Sequence, residues 1–122
     1  MCVLDLDDFR LVNDRIGSAA GDRVIAEVAK VLRETVGPTD LACRTGGDEF
    51  AVALPGSGRI EAESLLARVQ ATLARSPAVC DAKVGVTAGI AELEADDDGV
   101  SLFERAVAAL RRSKSAAKGT AA

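Results

Sequence analysis

The sequence predicts an α/β domain of the α+β type, in which helices flank a mostly antiparallel central sheet. Short runs rich in Val, Leu and Ala indicate strands, and longer segments with apolar residues every three or four positions indicate amphipathic helices. These segments follow one another in the order β-α-α-β-β-α-β-α. The length of 122 residues fits a single domain, 1–122, with frayed residues at 119–122.

An apolar strand followed by two helices opens the chain. Residues Cys2 to Leu6 form a short apolar run that closes on an acidic residue, which is typical of a buried strand. Residues Asp8 to Ile16 place apolar side chains on one side of a short helix, which Gly17 ends. From Gly21 to Val36 the same spacing predicts a longer helix that stops before a Gly-Pro pair.

The rest of the chain is predicted to contain a hairpin, a helix, a strand and a final helix. Leu41–Arg44 and Phe50–Leu54 are strand-like and flank a glycine pair suited to a tight turn. Ile60–Arg75 has helical spacing, Val84–Leu93 is rich in β-forming residues, and Val100–Lys114 is amphipathic. The hairpin turn therefore presents two adjacent acidic residues.

Composition excludes several classes of function. The sequence contains no histidine, so catalytic triads with histidine and histidine-ligated zinc sites are ruled out. A net charge of −4 and an aromatic content of 2% argue against binding to nucleic acid. Three cysteines without CxxC spacing indicate free thiols in a reducing compartment. We therefore expect a cytoplasmic chain without direct membrane insertion and without a nucleic-acid partner.

Two carboxylates are the candidate metal ligands. Asp5 ends the first predicted strand and Asp48 lies in the hairpin turn, and a single sheet can bring such strand ends side by side. Carboxylates so placed suit Mg²⁺, which takes one or two of them together with substrate phosphates. Gly46 and Gly47 would let backbone N–H groups approach a phosphate closely. The pattern therefore predicts a site for a metal-bound nucleotide.

Three segments carry a resemblance to a known family. Residues 46–50 spell GGDEF, as in the diguanylate cyclase family that is named after this motif. Residues 5–14 and the Gly-Asp pair at 21–22 resemble the family segment DxDxFKxxND…G…GD, and residues 109–118 resemble its ALYxAKxxGR helix. The resemblance covers nearly the whole chain and implies a palm-like sandwich similar to the catalytic domains of nucleotide cyclases.

The resemblance implies a metal site and a catalytic pair. Asp5 and Asp48 would bind metal through their side chains and Leu6 through its backbone carbonyl, with two Mg²⁺ or Mn²⁺ ions in each active site. Asp48 and Glu49 would form the catalytic pair. Glu49 would either activate the 3′-hydroxyl or complete the metal shell, and the sequence leaves both roles open.

The resemblance also implies a GTP site. Asn13 and Asp22 would read the guanine base, whose polar edge matches an amide and a carboxylate. The remaining implied contacts to GTP are Phe9, Arg10, Gly46, Gly47, Lys114 and Lys118, the two lysines neutralising the β- and γ-phosphates. Purely structural roles stay open as alternatives. Phe9 would then be a core residue, Asp7 and Asp8 would be helix-start residues, and the lysines would interact with the helix dipole in the last turn.

The implied reaction condenses two GTP molecules into cyclic di-GMP and two pyrophosphates. Because each subunit would hold one GTP, activity implies a homodimer, and a fused or associated sensory domain would control it. One alternative is a weak or inactive GGDEF domain that binds GTP or a partner protein for regulation. Another is a different palm-like nucleotidyl enzyme, which would lack selectivity for guanine. A purely structural domain would leave the acidic hairpin without metal affinity.

Two departures from the family pattern bear on regulation and affinity. The RxxD segment of product-inhibited cyclases reads Gly37-Pro38-Thr39-Asp40 here, so Asp40 is retained but glycine replaces the arginine. We therefore expect no inhibitory product site. The sequence also lacks the family's upstream helix with its DxLTxLxNR segment, so we expect lower GTP affinity and lower stability for this chain.

Overall fold

In the computed structural model, the chain forms a four-stranded antiparallel sheet with helices on both faces. The backbone is described for residues 1–121 and the side chains for residues 1–116, so the predicted frayed tail at 119–122 lies outside the fully described part. In chain order the elements are β1 (Cys2–Leu6), α1 (Phe9–Ile16), α2 (Ser18–Thr35), β2 (Leu41–Arg44), β3 (Glu49–Ala53), α3 (Arg59–Leu73), α4 (Pro77–Ala82), β4 (Val86–Ile90) and α5 (Gly99–Ala121). The strand order is β2-β3-β1-β4, which confirms the predicted fold class.

One face of the sheet is buried under α1 to α4. Because alternate residues of a strand share a face, Leu4 and Leu6 of β1 point to the same side. Phe50 of β3 pairs with Leu4 in the antiparallel register and joins them there. All three side chains are at most 3% exposed and pack in one cluster with Val28 and Leu32 of α2. This cluster is the larger of the two cores.

The opposite face is covered by α5. Val3 of β1 and Ala51 of β3 point to this side and pack against Ala106 and Leu110. Gly89 of β4 allows a close approach, because a Cβ atom there would lie 2.2 Å from the backbone N of Leu110 and 2.4 Å from the carbonyl O of Ala106. Neither α5 nor any other helix within the described residues is both long and apolar enough to cross a membrane.

The structure contains one helix that the sequence pattern did not predict. The helix α4 has only six residues, which is too short for a helical period to be recognised. Pro77 in its first turn was the available signal, since proline is favoured there. Lys83 ends α4 in a left-handed conformation, and Val84 is buried without joining β4, so the predicted strand Val84–Leu93 is too long. The predicted element order therefore lacked one helix.

Except at the end of α5, the remaining element boundaries lie close to the predictions. Both β1 and β2 have the predicted bounds, and β3 begins one residue earlier than expected, at Glu49. The start of α2 lies at Ser18 rather than Gly21. The last helix continues beyond its predicted end at Lys114 to Ala121, so Lys114 does not lie in the last turn.

We predict that thiol reagents distinguish the cysteines by burial. Cys2 is buried in β1, and burial raises the pKa of its thiol to about 11, so the reactive thiolate is scarce at neutral pH. Cys43 and Cys80 are free and exposed. Ellman's reagent should therefore titrate two thiols rapidly in the native protein and a third only in denaturant. A Cys2→Ala variant should lose only the slow thiol, and three fast thiols in the parent protein would contradict the buried position of β1.

Candidate active site

Asp5 and Asp48 lie next to each other at one end of the sheet. The antiparallel register sets Asp5 opposite Glu49, the first residue of β3. The backbone N–H of Leu6 donates a 3.1 Å hydrogen bond to the carbonyl of Asp48, which ties the glycine turn to the end of β1. The two carboxyl groups consequently lie close enough for the negative charge of Asp5 to act on Asp48. The structure thus brings together the two residues that the sequence pattern singled out.

The carboxyl group of Asp48 resists ionisation. Partial burial is the largest cause and the negative charge of Asp5 is the second, and together they raise the pKa of Asp48 above its usual range. The positive charge of Lys114 offsets part of this effect. A cation placed between the two carboxylates would relieve their repulsion and would favour the charged form of Asp48.

The available donor atoms suit a hard divalent cation. Oδ1 of Asp5 is buried and has no hydrogen-bond partner among the described residues, an arrangement that costs free energy unless another group satisfies the oxygen. Carboxylate and carbonyl oxygens are the ligands that Mg²⁺ and Mn²⁺ prefer. In the described part of the chain no group of three or more His, Cys, Asp or Glu side chains could hold a metal. A cation at this site would therefore need main-chain, water or phosphate oxygens besides Asp5 and Asp48.

Lys114 reaches the carboxylates from α5. It lies four residues beyond Leu110 on the helix stripe that packs against the sheet, so its side chain extends along β1 toward Asp5. Its Nζ atom is 2.9 Å from Oδ2 of Asp5, and the two side chains are 28% and 20% exposed. Because α5 continues to Ala121, Lys114 does not lie in the last turn, and an interaction with the helix dipole does not explain its position. The side chain of Lys118 lies outside the described residues.

Two residues ahead of the motif shape the glycine turn. Arg44 donates from Nε to the carbonyl of Gly46 at 3.0 Å and from Nη2 to the carbonyl of Gly47 at 2.6 Å. Thr45 donates from its hydroxyl to Oε2 of Glu49 at 2.7 Å. The space beside Gly47 is open, because no described atom beyond its chain neighbours lies within 4 Å of a Cβ placed there. The sequence pattern assigned no role to Arg44 or Thr45, although both side chains are hydrogen-bond donors next to a turn.

Phe9, Asn13 and Gly21 meet where α1 and α2 adjoin. A Cβ atom at Gly21 would lie 1.7 Å from Oδ1 of Asn13 and 3.2 Å from Cζ of Phe9, so only glycine allows this packing. Oδ1 of Asn13 is buried and has no hydrogen-bond partner among the described residues. Asp22, the next residue, lines a groove of about 610 Å³ between α2 and β2. Phe9 also packs against the larger core, whereas Arg10 is exposed.

Of Asp7 and Asp8, the two residues expected at a helix start, only Asp8 lies there. Asp8 precedes α1 in a left-handed conformation (φ 51°, ψ 38°), and no side chain among the described residues caps the helix. Asp7 is bound to β4 instead. Its backbone N–H donates to the carbonyl of Gly85 at 2.8 Å, and its Oδ1 accepts a 2.5 Å hydrogen bond from the hydroxyl of Thr87. The uncapped start of α1 beside Asp5 leaves backbone N–H groups available to an anion.

The segment at Gly37 and Asp40 forms a closed turn. The backbone N–H of Gly37 donates to Oδ2 of Asp40 at 2.8 Å, and the N–H of Asp40 donates to the carbonyl of Gly37 at 3.2 Å. The retained aspartate therefore has an internal partner, and the position of the missing arginine carries no side chain.

Comparison with known proteins identifies the class of domain. Residues 1–120 match the family described as "Diguanylate cyclase, GGDEF domain". The chain is 36% identical over 121 residues to the diguanylate cyclase DgcP of Pseudomonas aeruginosa, with 97% of this chain and 18% of that protein covered. The chain belongs to the GGDEF domain family.

Further similarities agree on the fold and show how much of the relatives is matched. The crystal structure of the GGDEF domain of DgcB from Caulobacter crescentus in complex with c-di-GMP superposes with a TM-score of 0.84 at 33% identity, covering 94% of this chain and 71% of that one. The cyclic di-GMP phosphodiesterase PdeB of Shewanella oneidensis is 36% identical over 94 residues, with 75% of this chain and 11% of that protein covered. The chain thus spans less than a fifth of DgcP and of PdeB.

We predict that Asp48→Asn makes the metal-free protein more stable at neutral pH. The raised pKa of Asp48 means that the folded protein holds this proton more tightly than the unfolded chain, so ionisation of Asp48 opposes folding as pH rises. The neutral amide removes that effect, and the melting temperature in chelator should rise by roughly a few degrees at pH 7. The gain should shrink as pH falls through the range where Asp48 becomes protonated.

Circular dichroism melts between pH 3 and pH 8 measure this difference. Asp96→Asn, a change in an exposed loop, is the matched control and should show no such pH-dependent gain. A lower melting temperature for Asp48→Asn at pH 7 without metal would contradict the repulsion between the two carboxylates.

Proposed function

We propose that this chain is the catalytic domain of a diguanylate cyclase, which condenses two GTP molecules into cyclic di-GMP and releases two pyrophosphates. The observation that carries the proposal is the closeness of Asp5 to Asp48, together with a buried oxygen of Asp5 that has no hydrogen-bond partner among the described residues. Membership of the GGDEF family and the activity named for the relative DgcP support the same conclusion.

Divalent metal ions are part of the proposal. Asp5 and Asp48 would hold them through their carboxylates and Leu6 through its backbone carbonyl, with two Mg²⁺ or Mn²⁺ ions in each active site. Bound there, the ions would supply charge neutralisation for the triphosphate and the pentavalent phosphorus. The fit of the oxygen donors and the repulsion between the carboxylates support this assignment.

The proposed GTP site runs from the junction of α1 and α2 to the metal ligands. Asn13 and Asp22 would select guanine, since a carboxylate accepts from the donor groups of its polar edge and an amide can both donate and accept. Oδ1 of Asn13 has no hydrogen-bond partner among the described residues, which supports such a bond. Phe9 and Arg10 belong to the start of α1, whose free N–H groups favour phosphate.

The phosphate end of the proposed site is formed by the glycine turn and α5. The space beside Gly47 is open, and a Cβ atom at Gly46 would lie 3.6 Å from Cβ of Glu49, so phosphate oxygens could approach the backbone of the turn at Gly47. Lys114 would neutralise phosphate charge from the opposite side, and its position beside Asp5 supports this role. Lys118 would lie one helical turn further along α5 and act in the same way.

In the proposed reaction, the 3′-oxygen of each GTP attacks the α-phosphorus of the other, and pyrophosphate leaves. Glu49 would accept the proton of the attacking hydroxyl or complete the metal shell. Since one domain would hold one GTP, two copies must face each other, so we propose an active homodimer under the control of a sensory domain. Without an arginine at Gly37, cyclic di-GMP would bind weakly at the RxxD position and inhibit little.

We predict that the protein converts GTP to cyclic di-GMP in the presence of Mg²⁺ or Mn²⁺ and leaves ATP unchanged. Asp48→Ala and Glu49→Ala should lower the rate by about 100-fold or more, because each removes a group that acts on the reacting phosphate or hydroxyl. Chromatography of the nucleotide products measures the rate. Asp96→Ala, which removes an exposed acidic residue outside the site, should keep the parent rate. Equal turnover in all four proteins would refute the site assignment.

A further inference from the structure

The carboxylate pair already has a cation in contact with it. Nζ of Lys114 lies 2.9 Å from Oδ2 of Asp5, so one oxygen of the proposed metal ligand is engaged by an ammonium group. The other oxygen of Asp5, Oδ1, is buried without a hydrogen-bond partner among the described residues. An incoming divalent cation would therefore compete with Lys114 for the carboxylate of Asp5.

Asp7 provides a second negative charge close to the same ammonium group. Its Oδ1 atom lies 3.9 Å from Nζ of Lys114. The carboxylate of Asp7 is fixed from β4, because its Oδ1 accepts the hydroxyl hydrogen bond of Thr87 and its backbone N–H binds the carbonyl of Gly85. Thr87 itself pairs with Asp5 in the antiparallel register of β1 and β4. Thr87, Asp7 and Lys114 thus form a chain of contacts that ends at Asp5.

We propose that Asp7, oriented by Thr87, is a positioning residue that holds Lys114 on Asp5 as an internal counter-ion, from which a divalent cation must displace it. The proposal rests on the proposed function for the identity of the metal site. Displacement would free the ammonium group while leaving it near Asp7, at the edge of the site where phosphates would bind. Lys114 would then exchange the carboxylate of Asp5 for that of Asp7 and would remain paired with an anion throughout.

Two consequences distinguish this arrangement from simple proximity of charges. Removing the ammonium group should strengthen the binding of metal to the nucleotide-free protein, because a competitor for Asp5 is lost. Removing only the hydroxyl of Thr87 should also strengthen it, although no charge changes, because Asp7 loses its orientation and Lys114 is held less firmly. The second effect should vanish when Lys114 is absent.

The test is Mn²⁺ binding to the nucleotide-free protein, measured by the electron paramagnetic resonance signal of free Mn²⁺. Lys114→Met should lower the dissociation constant by about tenfold, whereas Arg111→Met, which removes an exposed charge from the same helix, should change it less than about twofold. Thr87→Val should lower the dissociation constant by about threefold, and Thr87→Ser, which keeps the hydroxyl, should match the parent protein. Thr87→Val should add nothing in the Lys114→Met background. Circular dichroism melts verify that each variant is folded.

Three outcomes would overturn the proposal. They are equal affinity in the parent and Lys114→Met proteins, an effect of Thr87→Val that persists without Lys114, and no Mn²⁺ binding in either protein. The first two leave the proposed cyclase activity intact, and the third refutes the metal site on which both proposals depend. The expected affinities in a protein that forms no cyclic di-GMP would support the counter-ion and refute the activity alone.

Discussion

The repulsion between two carboxylates held side by side at the end of an antiparallel sheet governs the rest of this site. Asp5 is fixed by the register of β1 and Asp48 by the hydrogen bond that ties the glycine turn to Leu6, so neither can easily move away. Burial and mutual charge make ionisation of Asp48 unfavourable. A fold that retains such a pair gives up stability locally, as expected where the arrangement serves to bind a cation.

The smaller core, between the sheet and α5, connects the fold to the carboxylate pair of Asp5 and Asp48. The stripe of α5 that buries Ala106 and Leu110 against the sheet continues to Lys114 one turn later, so apolar packing and ion pairing use the same helix face. Gly89 is part of this connection, because the backbone of α5 could not approach β4 over a larger residue. A change in the packing of α5 would therefore alter the electrostatics of the carboxylates without touching either of them.

Much of the fold and of the site could be predicted from local patterns. Short runs of apolar residues predicted β1 and β2, which begin and end where expected, whereas the six-residue helix α4 is too short for a period to be recognised. Asp5, Asp48 and Lys114 were found through their motifs. The contacts of Asp7 with Thr87 and of Arg44 with the glycine carbonyls were not predicted. The first pair lies 80 residues apart in the chain, a separation to which neither helical nor strand periodicity is sensitive.

The most direct test of the central claim is the location of Mn²⁺ in crystals grown with a non-reactive GTP analogue, determined from the anomalous scattering of the metal. We expect an anomalous peak in contact with carboxylate oxygens of both Asp5 and Asp48, with Lys114 moved off Asp5. A peak elsewhere, such as at the acidic loop 96–98, with Lys114 still paired to Asp5, would contradict it.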